Sequence, residues 1–239
     1  MTIKFAKMAF ASVSLLAASP VLADAITLNP ADIGRTFDVA YNGFDGTGII
    51  AGLTGTTRLT LTGITANSYT FDYAVQNTST SPITASRISG FGFNTNPNIS
   101  GASSTGAYNI VGTSANVPNI GTVDVCFKDG GGTNSCAGGG SGGVTLGNSG
   151  TGSLTLDFAS TLTSLNLSDF FVRYQSITGT GANTPSSASG TGTITSSGGS
   201  SGGTPVPEPG MILLFGGAVG GMAWLRRNRQ NPAAQPAMA

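Results

Sequence analysis

The chain is 239 residues long, with ten basic residues, ten acidic residues, no histidine and glycine at 37 positions. A formal charge of zero spread over few charged side chains offers no footprint for a phosphate backbone, which excludes nucleic acid as a partner. Without histidine the chain can build neither a Ser-His-Asp nor a Cys-His site, so the commonest forms of nucleophilic catalysis are excluded too.

The N-terminal segment carries Lys4 and Lys7 ahead of an apolar stretch, Met8 to Ala18. Small residues follow at Val21-Leu22-Ala23 and Ala23-Asp24-Ala25. A basic start, a short apolar core and small residues at the cleavage positions predict a secretory signal peptide over residues 1–23, too short to serve as a spanning helix.

Residues 24–178 form the predicted ectodomain, long enough for one domain with its own core. Its periodicity is two. Phe37, Val39 and Tyr41 alternate with Asp38 and Ala40; Leu59 and Leu61 alternate with Arg58, Thr60 and Thr62; Tyr69, Phe71, Tyr73 and Val75 alternate with Thr70, Asp72 and Ala74. Such alternation marks half-buried strands. Further strands are expected over Ala85 to Phe93, Thr122 to Phe127, Ser153 to Phe158 and Phe170 to Ile177, with Asn42-Gly43 as the best hairpin turn. Many short strands with polar turns and no amphipathic helix predict an all-β, antiparallel β-sandwich of jelly-roll-like size.

The ectodomain holds few groups that could do chemistry. Asp45, Asp72, Asp124, Asp129, Asp157 and Asp169 are the candidates for glycan hydrolysis by paired carboxylates. Asp45 and Asp129 precede glycine in turn settings, Asp72 and Asp157 alternate outward on strands, and Asp169 follows Ser168 at a strand entry, so a structural role is expected for them. Arg87 and Arg173 interrupt apolar strands and are expected at a surface or edge, their stems packed on apolar neighbours. The loop Asp129 to Asn134 lacks the alternating acidic ligands of a calcium site, and no metal or cofactor is expected. Threonines at strand spacing, Thr60, Thr62 and Thr155, are too few for the regular array that ice binding needs.

Cys126 and Cys136 are the only cysteines. In an exported chain an isolated pair reads as a disulfide, and the glycines between them let the loop fold back. A zinc site would need about four ligands, which only carboxylates could complete.

From residue 179 to 205 the sequence is almost entirely glycine, serine, threonine, asparagine and proline, with Ile194 as the large apolar exception. That composition predicts a flexible linker, spanning roughly 30 Å as a random coil, that lifts the domain off a membrane.

The tail, 206–229, has three parts in order. Val206, Pro207, Glu208, Pro209 and Gly210 form an extended, proline-stiffened signature; Met211 to Leu225 is an apolar run; Arg226, Arg227 and Arg229 close it with a basic cluster. Fifteen apolar residues at about 1.5 Å each span roughly 22 Å, less than a typical hydrocarbon core of about 30 Å, so the predicted single transmembrane helix is a marginal anchor. Gly216, Gly217, Gly220 and Gly221 open one face of it to another membrane helix. The arginines place residues 230–239 in the cytoplasm and everything before Pro207 outside.

This ordering resembles the PEP-CTERM sorting domain of Gram-negative bacteria, apart from the extra stretch Gln230 to Ala239. The resemblance implies export by the secretion machinery, transient anchoring in the inner membrane, and processing by an exosortase-like membrane enzyme that delivers the protein to the cell surface or extracellular matrix. Four blocks also resemble the paired-cysteine cistern group: Tyr69 to Tyr73, Ser86 to Phe93, the cysteine loop with Ala137 to Gly140, and Asp169 to Gln175. The expected function is a non-catalytic surface module, structural, adhesive or associated with exopolysaccharide in a biofilm. The alternatives are a carbohydrate- or ice-binding module, or a carboxylate-dependent glycan-active enzyme.

Overall fold

The computed structural model describes residues 25–130, 135–137, 141–179 and 184–198. Twelve strands account for most of them: β1 (Ala25–Leu28), β2 (Thr36–Phe44), β3 (Ile49–Ile64), β4 (Ser68–Asn77), β5 (Ile83–Asn96), β6 (Gly101–Ser104), β7 (Ile110–Val117), β8 (Gly121–Lys128), β9 (Val144–Thr145), β10 (Ser149–Asp157), β11 (Leu165–Gly179) and β12 (Ser187–Gly198). The one helical turn among the described residues is a 3-10 turn, Pro30–Asp32. Asn29 caps it by accepting from the Ala31 amide, while Asp32 accepts from the Asn29 amide in return.

The protein is all-β, as its periodicity predicts, but its strands are not divided between two separate sheets. They form one antiparallel sheet in the order β6-β10-β4-β3-β2-β12-β11-β5-β8-β7, with β1 paired to β11 and β9 to β5. The sheet curls until it nearly closes, bringing β4 and β3 opposite β5 and its edge strands β6 and β7 together. Curling lets one sheet supply both walls of the core and leaves little open edge.

The inward-facing residues are those the alternation selects. Phe37, Val39, Tyr41, Leu59, Leu61, Tyr69, Phe71, Tyr73 and Val75 are all buried. A chain of ring contacts crosses the interior, Tyr73 to Phe91 at 5.1 Å, Phe91 to Phe127 at 5.3 Å, Phe127 to Phe93 at 6.0 Å, Phe93 to Phe170 at 5.6 Å and Phe170 to Phe37 at 6.1 Å. The rings come from five strands and tie the two walls together by burial and edge contacts. Tyr73 also fastens the connection from β6 to β7, donating to the Thr105 carbonyl at 2.6 Å and accepting from the Tyr108 amide at 2.9 Å.

Asn42-Gly43 is not the hairpin turn. Both residues lie inside β2, and the turn falls at Asp45 to Gly48, where the Asp45 carboxylate accepts from the amides of Thr47 at 2.8 Å and Gly48 at 3.0 Å. Gly43 serves packing instead: a Cβ there would sit 2.3 Å from the Leu53 side chain, which needs that space to enter the core.

A second correction is larger. Ser187–Gly198, expected within a linker, is β12, seated in the middle of the sheet between β11 and β2. Its small residues are what the site demands. A Cβ on Gly192 would lie 2.5 Å from Val39 and 2.6 Å from Tyr41, so large side chains on β2 fill the room that β12 leaves. Ala188 is buried, and Ile194 packs against the core. The chain divides into two units, Met1–Ser201 and Gly202–Ala239, so the folded ectodomain runs past residue 178. The signal peptide expected over residues 1–23 and the tail, 206–229, with its expected transmembrane helix, lie outside the described residues; among the described residues no helix is long and apolar enough to cross a membrane.

β7 and β8 add a smaller apolar cluster beside the main core. Ala115, Val117, Val123, Cys126, Cys136 and Phe171 pack together, covering the outer side of β11. This part of the sheet is therefore buried on both faces, with Phe170 and Val172 of β11 in the main core and Phe171 in the second cluster.

Cys126 and Cys136 form the expected disulfide, their Cα atoms 6.1 Å apart and both residues buried. Closing a loop of ten residues' separation stabilises the fold by roughly 3 kcal/mol in the chain-entropy description. Replacing both cysteines by alanine is expected to lower the unfolding free energy by about that amount and so to lower the denaturant midpoint, with a steeper slope because the unbridged unfolded chain is more expanded. An unshifted midpoint would show that the bridge holds nothing that the loop's hydrogen bonds do not.

Candidate functional site

Polar groups concentrate where the cysteine loop lies against the outer face of β5, β8 and β11. Arg87 of β5 donates through Nη1 to Asp129 Oδ2 at 2.8 Å and to the Gly142 carbonyl at 2.9 Å, and through Nε to Ser176 Oγ at 3.3 Å. Its Nη2 donates to Gln175 Oε1, and Gln175 Nε2 donates on to the Ala137 carbonyl. Lys128 Nζ donates to the Ser135 carbonyl at 2.5 Å. Charged side chains thus clasp both ends of the loop, with the disulfide between them.

The Arg87–Asp129 pair is deeply placed, its side chains 8% and 2% exposed. The expectation for Arg87 does not survive here, since it is not at a surface or edge, whereas Asp129 sits at the bend before Gly130 in a structural role, as expected, with its carboxylate buried in the pair. Asp129, Gly142 and Gln175 cover a face that strand alternation leaves open, and the Arg87 charge is tolerated because it has several partners. Burial pushes the Lys128 ammonium below its ordinary pKa, while Asp129 opposes that shift.

The remaining carboxylate candidates are dispersed. Asp45 caps its turn, and its bond from the Thr47 hydroxyl, aided by the Thr47 and Gly48 amides, holds its carboxyl below the usual range. Asp72 and Asp157 are exposed on strands, as alternation predicts. Asp124 accepts from the Thr95 amide at 2.8 Å. Asp169 lies inside β11 rather than at its entry, at φ 51° beside a register shift, and accepts from Asn94 Nδ2 at 3.0 Å and Ser168 Oγ at 3.0 Å. Asn94 separates these last two, since its Oδ1 accepts from the Asp124 amide. Among the described residues no group of three or more His, Cys, Asp or Glu could hold a metal ion.

The outer face of β12, β2, β3, β4 and β10 has a different character. Strand register places Thr193, Ala40, Thr56, Gln76 and Ser149 in one row, and Ser196, Asp38, Arg58, Ala74 and Thr151 in the next. A third row holds Gly198, Thr36, Thr60, Asp72 and Ser153. Hydroxyls pair across strands, Thr36 with Thr60 at 3.0 Å and Thr70 with Thr155 at 3.1 Å. Arg58 grips Asp38 at 2.7 and 3.1 Å, cancelling the charge of the middle row. That hydrogen bond from Arg58 lowers the Asp38 carboxyl below its ordinary pKa. A shallow groove lined by Asp38, Thr56, Arg58, Gln76 and Ser149 runs across this face.

Beyond β12 the chain reaches its proline-flanked glutamate, its apolar run and its arginines, and residues 205–227 match the PEP-CTERM protein-sorting motif. The chain carries a PEP-CTERM sorting signal. It is therefore an exported protein, sorted to the cell surface by an exosortase, a membrane enzyme. The matched span contains Val206, Pro207, Glu208, Pro209, Gly210, Arg226 and Arg227, while Arg229 lies just beyond it. No curated protein and no solved structure matches the chain.

In this PEP-CTERM ectodomain the sequence signals missed two things, both tertiary. β12 has no apolar alternation to announce it, and Ile194 is its one large apolar hint. The burial of Arg87 and Arg173 depends on which segments fold over β5 and β11, a fact that no local pattern encodes.

Proposed function

We propose that this PEP-CTERM protein works at the cell surface or in the extracellular matrix as a non-catalytic module, structural or adhesive, associated with exopolysaccharide. The observation that carries this proposal is the outer face of β12-β2-β3-β4-β10, a nearly neutral field of serine, threonine and glutamine side chains. Paired hydroxyls and amides can exchange hydrogen bonds with a hydroxylated polymer without selecting for charge. The engagement of Asp38, Asp45, Asp124, Asp129 and Asp169 with their own partners supports a role without turnover. Carbohydrate binding is the nearest alternative and would use the same face. Ice binding fits less well, because Ala40, Arg58, Ala74 and Gly198 interrupt the hydroxyl rows. A carboxylate-dependent glycan-active enzyme would need two acids facing one bond, and Asn94 stands between Asp124 and Asp169.

For the tail, Met211 to Leu225 anchors the protein transiently in the inner membrane while the enzyme processes the segment around Val206 to Gly210. The disulfide and the blocks around it support placement in the cistern group of PEP-CTERM proteins. Deleting Pro207 to Arg229 should abolish retention of the protein by the cell and leave the secreted ectodomain folded; retention unchanged by the deletion would overturn the sorting role. For the ectodomain, co-sedimentation with the producing cell's own polysaccharide is expected to fall at least severalfold when Thr56 and Gln76 are both replaced by lysine, because charge is then placed on a neutral face. Turnover of that polysaccharide, lost on replacing a single aspartate, would establish an enzyme instead.

A further inference from the structure

Arg173 lies on β11 and is 6% exposed. Register sets it opposite Gly90 of β5, which in turn faces Lys128 of β8, so two cationic side chains flank one glycine on the same covered face. The one carboxylate of this layer, Asp129, is held by Arg87. Arg173 is bonded to neutral groups: Nη1 donates to Ser189 Oγ at 3.2 Å and Nη2 to Ser187 Oγ at 2.8 Å. Its Nε is buried with no acceptor. Among the described residues no carboxylate forms an ion pair with it, and elsewhere the chain has only Asp24 and Glu208 as acidic residues.

A buried guanidinium without a counter-charge is an unfavourable arrangement, since a neutral hydroxyl satisfies a hydrogen bond but not the charge. The surroundings are built for an acceptor. Ser189 Oγ spends its own hydrogen on the Pro118 carbonyl at the tip of the β7–β8 hairpin, which fixes it as an acceptor toward Arg173 and seats the tip over β12. Ser187 Oγ accepts from Arg173 and retains a hydrogen to donate. Arg173 Nε, its remaining guanidinium hydrogens and the Ser187 hydroxyl are the donors left over.

We propose that Arg173 and Ser187, beneath the β7–β8 hairpin tip, form a small-anion site that takes a halide or a carboxylate group as the counter-charge of the buried guanidinium. Burial alone depresses the basicity of Arg173, with no opposing carboxylate to restore it, in keeping with a cation that lacks its partner. The site is independent of the hydroxyl face, so either proposal can fail without the other.

The test titrates anions at constant ionic strength, replacing gluconate by bromide or by acetate with the exported chain, and follows thermal unfolding. Binding to the folded state alone raises the midpoint by about 5 °C at an anion concentration some hundredfold above its dissociation constant. A rise with bromide only would define an enclosed ion site, and a rise with both would define one open to a carboxylate such as that of an acidic sugar. The Arg173→Met variant should lose the response. Should that variant not fold, crystals of the unaltered protein soaked in bromide decide the matter through an anomalous peak within hydrogen-bond reach of Arg173 Nε. An equal anion response in wild type and Arg173→Met, or bromide peaks only at other positions, would overturn the proposal.

Discussion

A chain ending at Gly179 is expected not to fold, whereas one ending at Ser201 should fold as the full ectodomain does. The difference is β12, which pairs with β11 from Phe171 to Gln175 on one side and with β2 from Thr36 to Phe44 on the other. Removing a central strand cuts the sheet in two, leaves two rows of unpaired backbone groups, and opens the core beside Val39, Tyr41 and Phe170, which Gly192 now abuts. The combined loss exceeds the roughly 5–15 kcal/mol by which a domain of ordinary stability is held. Far-ultraviolet circular dichroism and limited proteolysis of the two truncations would check this. A cooperative unfolding transition in the shorter chain would mean that the sheet closes without β12.

Asp129→Asn is expected to destabilise the ectodomain by about 3–5 kcal/mol, because it leaves the Arg87 guanidinium buried with its charge uncompensated. Arg87→Met should cost a similar amount by stranding the carboxylate. The double substitution should cost much less than the sum of the two, since neither member of the pair is then left buried without its partner. Urea unfolding of the three variants forms the cycle. Additive effects, or a loss below about 1 kcal/mol for Asp129→Asn, would show that water reaches the pair and that it acts as an exposed ion pair does. A further consequence concerns the loop: Asp129 and Gly142 hold Arg87 from the two ends of the cysteine segment, so both single variants should also expose the disulfide to reductant.

The half-buried strands were legible because alternation is a local property. A residue on β2, β3 or β4 faces inward or outward according to its parity, and Phe37 through Val75 obey that rule without exception among the residues named from it. The disulfide was equally legible, since compartment and cysteine number left one pairing. What stood in the outer field was half legible. Thr60, Thr62 and Thr155 announce hydroxyls on strands, but the rows they join depend on the register of five strands that are far apart in the chain.

Closure of the sheet, the strand β12 and the buried cations had no comparable signal. A central strand that must lie close beneath Tyr41 and Tyr174 has to be small, and a run of small residues has the composition of a linker; what distinguishes them is the set of large neighbours waiting on β2 and β11. Arg87 and Arg173 point away from the main core, yet Asp129 and Gly142 close over the first and the tip of the β7–β8 hairpin over the second. The amino-acid sequence by itself determined the address of this protein, its β character, its inward-facing residues and its cysteine bridge, because each is written in order, spacing or composition along a short stretch. The tertiary structure alone decided which strands adjoin, where the domain ends and which charges are buried, because those follow from packing between segments that the sequence holds far apart.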